Sequence, residues 1–322
     1  SISSDTGSGS KVYLVDVKED QIIMKLNPSE RAIAEHEYHM YGFFNMFVKY
    51  HVTPYVIQRI PYKPTIYNTK NESYFALFLQ TYESNKLNSL HDFMHIYMKK
   101  SYMKNNKYVE IMLFQILYTL ACMNKVGIRH NDLHSGNIFV VDNRKKDHYK
   151  DKYREIKINK SKFYIPLQCA DIRIFDLDRA IKGDLDSHIN KNKFHTPFRR
   201  ERILNTTILN EYIGILQYGD KTYNPHIDCY KILMHLKISF PLFQSIDDIT
   251  SHIPDKTMFT NTMHSTLFTR YHLLFNNKGK TVNPDYLKTP LQLLKHEMFN
   301  TYKILPKNGK VVETYDINNI YI

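Results

Sequence analysis

The sequence lacks tryptophan and contains only three cysteines and ten glycines among its 322 residues. Cys122, Cys169 and Cys229 lie far apart, and their spacing matches neither a zinc site nor a disulfide framework. A disulfide-stabilised secreted scaffold is therefore excluded, and we expect a reducing, intracellular compartment. The chain shows no internal repeat, which excludes solenoid and propeller architectures.

Long apolar runs are also missing. The longest apolar-rich stretch, residues 108–123, is too short and too interrupted to span a bilayer. The first residues show no basic region followed by an apolar segment, which a secretory signal would require. We therefore expect a soluble chain without a membrane span.

The composition that is present is that of a globular protein. Hydrophobic residues make up 43% and charged residues 24% of the chain. A chain of this length is long enough to form one large domain or two modest domains, each with a buried core. The net charge of +12 favours acidic partners such as phosphates, nucleic acid, anionic lipid or acidic protein surfaces. Abundant Lys, Asn, Ile and Tyr suggest an AT-rich coding genome.

The first part of the chain is predicted to be rich in β-strands. The stretches KVYLV (11–15), QIIMKL (21–26), PYVIQRI (54–60) and YFALFLQTY (74–82) are short, apolar and bounded by turn residues. Between the second and third, residues 27–50 have a helical period and begin with an Asn-Pro-Ser start signal. Glu37 falls on the apolar face of this helix, whereas Glu35 points elsewhere.

The later part is predicted to be mainly helical, with a boundary near residues 82–89. Helical patterns cover 88–98, 107–126, 226–238 and 289–305, and strands follow at 137–141 and 171–175. The basic insertion 143–162 is predicted as an exposed loop or hairpin, most simply a solvated linker. Between the second helix and the first strand lies the polar junction IRHNDLHSGNIFV, residues 128–140.

Three motifs occur in a specific order and resemble the protein-kinase superfamily. They are IIMK at 22–25, HNDL at 130–133 with Asn137 five residues after the aspartate, and DLD at 176–178. The resemblance covers most of the chain and extends to divergent Ser/Thr kinases of large nucleocytoplasmic DNA viruses. It implies an α+β, two-lobed fold: a small β-rich N-lobe (1–84) with one αC-type helix, and a larger, mainly helical C-lobe (85–322).

The resemblance also implies roles for individual residues. Asp132 would be the base for the acceptor hydroxyl, while Asn137 and Asp176 would hold Mg²⁺ or Mn²⁺. Lys25 would bind the α- and β-phosphates of ATP, and Glu37 would hold Lys25. A glutamate buried on an apolar face needs such a partner. Two alternatives are open at this point. Asp132 and Asn137 are residue types that commonly form turns, so they could be turn residues without a catalytic role. Glu35, and not Glu37, could be the partner of Lys25.

Further contacts with ATP are expected along residues 5–10, a loop that is poor in glycine compared with the family pattern, and at the boundary between the lobes. The nucleotide-binding residues implied are Gly7, Ser8, Gly9, Ser10, Val12, Lys25, Gln80 and Tyr82. Only Gly7 occupies a glycine position of the family pattern, so residues 5–10 could also be a flexible turn or an artificial Ser/Gly remnant. Backbone amides of such a loop can still bind phosphate.

Four other residues bear on the resemblance. His130 is expected to be architectural and to hydrogen-bond beneath the metal-binding turn, and Asp228 to anchor the catalytic loop. His134 stands where protein kinases usually carry lysine and could hydrogen-bond the γ-phosphate. The same Asp-x-His pattern occurs in aminoglycoside and choline kinases. Asp178 replaces the glycine that usually follows the metal-binding aspartate.

Several functions are therefore open at this stage. The first is a protein Ser/Thr kinase using ATP and Mg²⁺, acting in the host cytoplasm or the virion if viral. The second is a small-molecule kinase, which His134 and the lack of an Ala-Pro-Glu ending within 184–223 favour. The third is a pseudokinase scaffold, which the altered glycine loop and Asp178 favour. Nucleic-acid binding through the basic stretches 143–162 and 191–200 is a minor alternative.

Overall fold

A computed structural model describes residues 11–17, 20–27, 31–68, 73–81, 88–99, 107–130, 132–178, 180–182, 228–229, 232–233, 235–236 and 288–320. Within these ranges the protein is a mixed α/β structure. The predictions for the loop at 5–10, for Tyr82 and for the acceptor-recognition segment 184–223 lie outside the described residues.

The N-terminal part forms a four-stranded antiparallel sheet with strand order β1-β2-β4-β3. Its strands are β1 (Lys11–Val17), β2 (Asp20–Asn27), β3 (Thr65–Asn68) and β4 (Ser73–Gln80). Helix α1 (Arg31–Lys49) packs against this sheet through a buried apolar face. The strands predicted at 11–15, 21–26 and 74–82 and the helix predicted at 27–50 are thus present.

The strand predicted at 54–60 is wrong. Val56 forms an isolated parallel bridge with Ile174, and Arg59 forms an isolated antiparallel bridge with Leu79. The segment crosses from one sheet to another, so it never runs beside a single partner for long enough to build a ladder. Three of its apolar side chains, Tyr55, Val56 and Ile57, are completely buried.

The middle of the chain contains two helices, α2 (Leu90–Lys99) and α3 (Lys107–Lys125), both as predicted. In α3, 14 of the 19 residues are buried, because the helix is enclosed on all sides. It packs against β10 (Ala170–Ile174), which pairs with β7 (Ile138–Asp142). β7 also pairs with β5 (Asn88–Ser89), and β6 (Ile128–Arg129) pairs with β11 (Ile181–Lys182).

The basic insertion 143–162 contributes to a hairpin, as one of the predicted alternatives has it, and is not a solvated linker. It contains β8 (Lys152–Ile158) and the start of β9 (Ser161–Pro166), which form a hairpin. β12 (Lys310–Asp316) adds to β8 in parallel, giving a sheet of order β12-β8-β9. Alternating apolar residues, among them Ile156, Phe163 and Ile165, are buried beneath the lysines that dominate the composition.

The region 85–322 is more mixed than the mainly helical prediction, because its described part contains strands β5 to β12 as well as helices. The described residues of 228–236 are helical, as predicted. The helix predicted at 289–305 is short: α4 (Pro290–Leu293) begins with a Thr289 capping box, and a 3-10 helix follows at Glu297–Lys303. No helix in the described ranges is long and apolar enough to cross a membrane.

Candidate active site

The centre of the site is a buried lysine placed between two carboxylates. Lys25 lies on β2 between Val12 of β1 and Leu77 of β4, and it is 1% exposed. Its Nζ donates to Glu37 Oε1 at 2.8 Å and also forms an ion pair with Asp176. Asn27 Nδ2 donates to the second oxygen of Glu37 at 3.0 Å. Helix α1, strand β2 and the turn after β10 therefore meet at Lys25.

The charges of this cluster do not balance. Burial acts to lower the pKa of Lys25, but Asp176 and Glu37 outweigh it, and the net pKa is raised well above its usual value. Burial raises the pKa of Glu37, Lys25 opposes this, and the neighbouring Asp176 raises it further. A simple pair would lower the pKa of Glu37. The raised pKa of Glu37 therefore reflects its complete burial first, and the second carboxylate beside Lys25 adds to it.

The turn that carries Asp176 has an unusual backbone. Asp176 has a φ of 69°, in the left-handed region that non-glycine residues rarely occupy. Its amide donates to the hydroxyl of Tyr41 at 2.8 Å. The preceding Phe175 stacks on Phe139 with ring centroids 3.9 Å apart, and its amide donates to the carbonyl of Asn137 at 3.1 Å. The turn is thus fixed from both sides.

The polar junction forms a loop fixed by its own hydrogen bonds. His130 Nε2 donates to the carbonyl of Phe175 at 2.8 Å, and the His130 amide donates to Asp228 Oδ2 at 2.5 Å. Asn137 Nδ2 donates to the carbonyl of Asp132 at 2.8 Å. Asn137 Oδ1 is buried and has no hydrogen-bond partner among the described residues. This oxygen is available to a ligand from outside the chain.

His134 is held by the residue two positions later. Its Nδ1 accepts from the amide of Gly136 at 3.1 Å, so in the neutral ring the proton lies on Nε2. A Cβ at Gly136 would come within 2.8 Å of the His134 ring, which explains why glycine stands there. Ser135 Oγ lies 2.6 Å from His235 Nε2, which connects the loop to the helical residues near 235.

The structure brings together most of the predicted site residues that it describes. Lys25, Glu37 and Asp176 are in direct contact, and Asp132 and Asn137 are joined by a hydrogen bond. Val12 is buried opposite Lys25 on β1. Gln80 is exposed at the end of β4, and Glu35 is half-buried. Asp178 is close enough to Lys25 to raise its pKa. The remaining predicted residues, Gly7, Ser8, Gly9, Ser10 and Tyr82, lie outside the described ranges.

Two contributors to the site were missed by sequence reasoning. Tyr41 lies four positions after Glu37 and therefore on the same face of the helix, where its ring fits the apolar pattern and its hydroxyl does not stand out. Asn27 was read only as a helix start signal. The signal that could have identified Tyr41 is its hydroxyl group on the helix face that carries Glu37. No pattern in the sequence indicates that Asn27 contributes to the site.

Comparison with known proteins gives one informative similarity. No family model matches the chain. A protein of Acanthamoeba polyphaga mimivirus named “Putative serine/threonine-protein kinase R301” is 24% identical over 212 residues, which is 64% of this chain. The chain resembles a divergent viral kinase. The matched part covers 50% of the mimivirus protein, so the chain spans about half the length of the relative it matches.

Proposed function

We propose that the chain is an ATP- and Mg²⁺-dependent protein kinase that transfers the γ-phosphate to Ser or Thr hydroxyls of proteins. The observation that carries this proposal is the buried Lys25 in contact with both Glu37 and Asp176. Burying one ammonium and two carboxylates costs free energy, and this cluster joins the strand lysine to the two carboxylates that the kinase resemblance places beside it. A kinase needs a lysine for phosphates beside a carboxylate for metal, and the resemblance to the mimivirus protein supports the same reading.

The proposal includes the arrangement of the chain. Residues 1–84 would form the N-lobe, with α1 as its αC-type helix, and residues 85–322 would form the C-lobe. The nucleotide would lie between them, against Val12 and Lys25 on one side and near Gln80, with Gly7–Ser10 and Tyr82 contributing as the resemblance implies. We place the activity in the host cytoplasm or the virion, in keeping with the viral relative.

The residues present fit a hard divalent cation. Asn137 contributes a buried oxygen that accepts no hydrogen bond within the described part of the chain, and Asp176 contributes a carboxylate from the adjoining turn. Mg²⁺ prefers oxygen ligands and commonly retains waters and substrate phosphates as further ligands. Within the described ranges no group of three or more His, Cys, Asp or Glu side chains could hold a metal alone. Magnesium would neutralise phosphate charge when bound.

The loop residues would perform the transfer. Asp132 would accept the proton of the acceptor hydroxyl, and the 2.8 Å bond from Asn137 to its carbonyl fixes its backbone. His134 Nε2, which carries the proton because Nδ1 accepts from Gly136, could donate to a phosphate oxygen. Lys25 would hold the α- and β-phosphates and is itself positioned by Glu37. Positioning of this kind supplies most of the catalysis in phosphoryl transfer.

The test is transfer of labelled γ-phosphate from Mg-ATP by the wild-type chain and by the Asp132→Asn variant. Acceptors would be a basic protein, an acidic protein, the chain itself, an aminoglycoside and choline. Asp147→Asn is the matched control, because Asp147 is exposed in the insertion. Label on Ser or Thr that disappears in Asp132→Asn and persists in the control is the expected result.

Other outcomes identify the competing functions. Label on the aminoglycoside or choline alone would make the chain a small-molecule kinase. Binding of Mg-ATP, seen as a shift in thermal unfolding, without transfer to any acceptor would leave the pseudokinase. Transfer that is unchanged in Asp132→Asn would remove Asp132 from the mechanism and contradict the proposal.

A further inference from the structure

Tyr41 links helix α1 to the backbone of the metal-binding turn. It lies one helical turn after Glu37, and its side chain is completely buried. Its hydroxyl accepts a hydrogen bond of 2.8 Å from the amide of Asp176. Residues four apart lie on the same helix face. One face of α1 therefore contacts both Lys25, through Glu37, and the residue that carries the second carboxylate.

This hydrogen bond falls where the backbone most needs support. Asp176 has a φ of 69°, a conformation that costs free energy for any residue other than glycine and is held by its surroundings. A buried amide also needs an acceptor. The flanking contacts, Phe175 amide to Asn137 carbonyl and His130 to Phe175 carbonyl, come from the catalytic loop. The acceptor for the Asp176 amide itself comes from α1.

We infer that Tyr41 is a positioning residue: its hydroxyl holds Asp176 in the left-handed conformation that directs the carboxylate toward Lys25 and the metal. Glu37 and Tyr41 lie on the same face of α1, so this helix supplies both the partner of Lys25 and the acceptor for the Asp176 amide. This inference rests on the proposed function, and it makes the Tyr41 hydroxyl a determinant of metal binding.

The decisive variant is Tyr41→Phe, which removes one oxygen and keeps the ring packed against Phe44. We expect the Mg²⁺ concentration for half-maximal phosphate transfer to rise about tenfold, which corresponds to about 1.4 kcal/mol. The KM for ATP at saturating Mg²⁺ should stay within about twofold, because Lys25 and Glu37 remain paired. A purely structural residue would lower the unfolding temperature without this selective change in Mg²⁺ dependence.

Tyr118→Phe is the matched control. The Tyr118 hydroxyl is also buried and donates to the carbonyl of Val52 at 2.6 Å, away from Asp176. We expect this variant to keep the Mg²⁺ dependence of the wild type. The inference is overturned if Tyr41→Phe also keeps it, or if both variants change it equally.

A second measurement needs neither a variant nor catalysis. Amide hydrogen exchange in the wild-type chain should show the Asp176 amide as protected as that of Ile172, which donates to Gln115 Oε1 at 2.8 Å. Exchange of the Asp176 amide at the rate of an exposed amide would overturn the inference. Absence of phosphate transfer by the wild type counts instead against the proposed function, so the two failures are distinguishable.

Discussion

Lys25 and Asp176, 151 positions apart in the chain, form an ion pair in the buried centre of the protein. Lys25 lies on β2 of the N-terminal sheet, and Asp176 lies on the turn after β10. This contact therefore connects two separate sheets. Glu37 completes the cluster from α1 at 2.8 Å. The geometry suits a group that must hold phosphate next to a metal-binding carboxylate.

Replacement of Lys25 by methionine should nearly abolish transfer. Methionine keeps much of the apolar stem but removes the ammonium, and loss of one preorganised electrostatic contact typically costs about 10²–10³ in rate. Lys49→Met is the matched control, because Lys49 is exposed at the end of α1. Steady-state kinetics with Mg-ATP would measure both variants. Equal rates for Lys25→Met and Lys49→Met would contradict the assignment.

The two glutamates of α1 can be separated by a matched pair of variants. Glu37→Gln removes the charge that contacts Lys25, and we expect the transfer rate to fall about 10- to 100-fold, as for loss of a buried charge-assisted contact. Glu35→Gln should keep most of the activity, since Glu35 is half-buried and, two positions from Glu37, lies on a different face of the helix. The reverse order of rates would show that Glu35 is the lysine partner.

Gly136→Ala should affect activity more than stability. The new Cβ would lie 2.8 Å from the His134 ring, so the ring must move, and transfer should fall about tenfold if His134 assists the phosphate. Gly42→Ala is the control, because a Cβ there meets Arg59 at an ordinary 3.5 Å. Wild-type activity in Gly136→Ala, with its thermal unfolding also unchanged, would show that the position of the ring is unimportant.

The ionised Asp171 carboxylate should stabilise the folded protein, and this contribution to the free energy of unfolding should be lost at acidic pH. Burial acts to raise the pKa of Asp171, but Arg154 at 3.1 Å and the nearby Arg173 outweigh it, so the folded-state pKa is lowered below 3.8. The unfolded state therefore binds more protons than the folded state. The stabilisation is present above pH 3.8 and is lost as the pH falls through the folded-state pKa.

Urea unfolding of the wild type and of Asp171→Asn tests this dependence. At pH 7 the variant should be less stable by about 3 kcal/mol, because Arg154 loses a buried partner. The difference between the two proteins should stay constant from pH 7 to pH 5 and shrink at more acidic pH. A difference that does not change down to pH 2 would refute the role of the ionised carboxylate.

The turn after β12 should be part of the core. Ile317 is 3% exposed, so Ile317→Ala should lower the free energy of unfolding by about 2–4 kcal/mol. Val312, in the same strand region, is 42% exposed, and Val312→Ala should change it by less than about 0.5 kcal/mol. Thermal or urea unfolding would measure both. Similar small effects would show that this segment folds independently of the core.

Local sequence patterns were sufficient to predict the helices and strands whose apolar residues follow a clear pattern. The mostly apolar α3 and the short apolar run of β4 could be predicted because burial selects apolar residues along a continuous stretch of the chain. The prediction that Glu37 lies beside Lys25 agrees with the contact between the two side chains. Glu37 stood out because a charge on an apolar face needs a partner.

Other features depended on contacts between distant segments, which residue order does not record. The hairpin that begins in 143–162 is one of the conformations that the sequence predicts, although the lysine-rich composition favours a solvated linker. The pairing of β8 with β12, more than 140 positions later, leaves no local pattern in the sequence. Residues 54–60 looked like a strand but pass between two sheets. The Tyr41–Asp176 hydrogen bond is also decided in three dimensions, since only tertiary packing brings a helix hydroxyl to a strained amide.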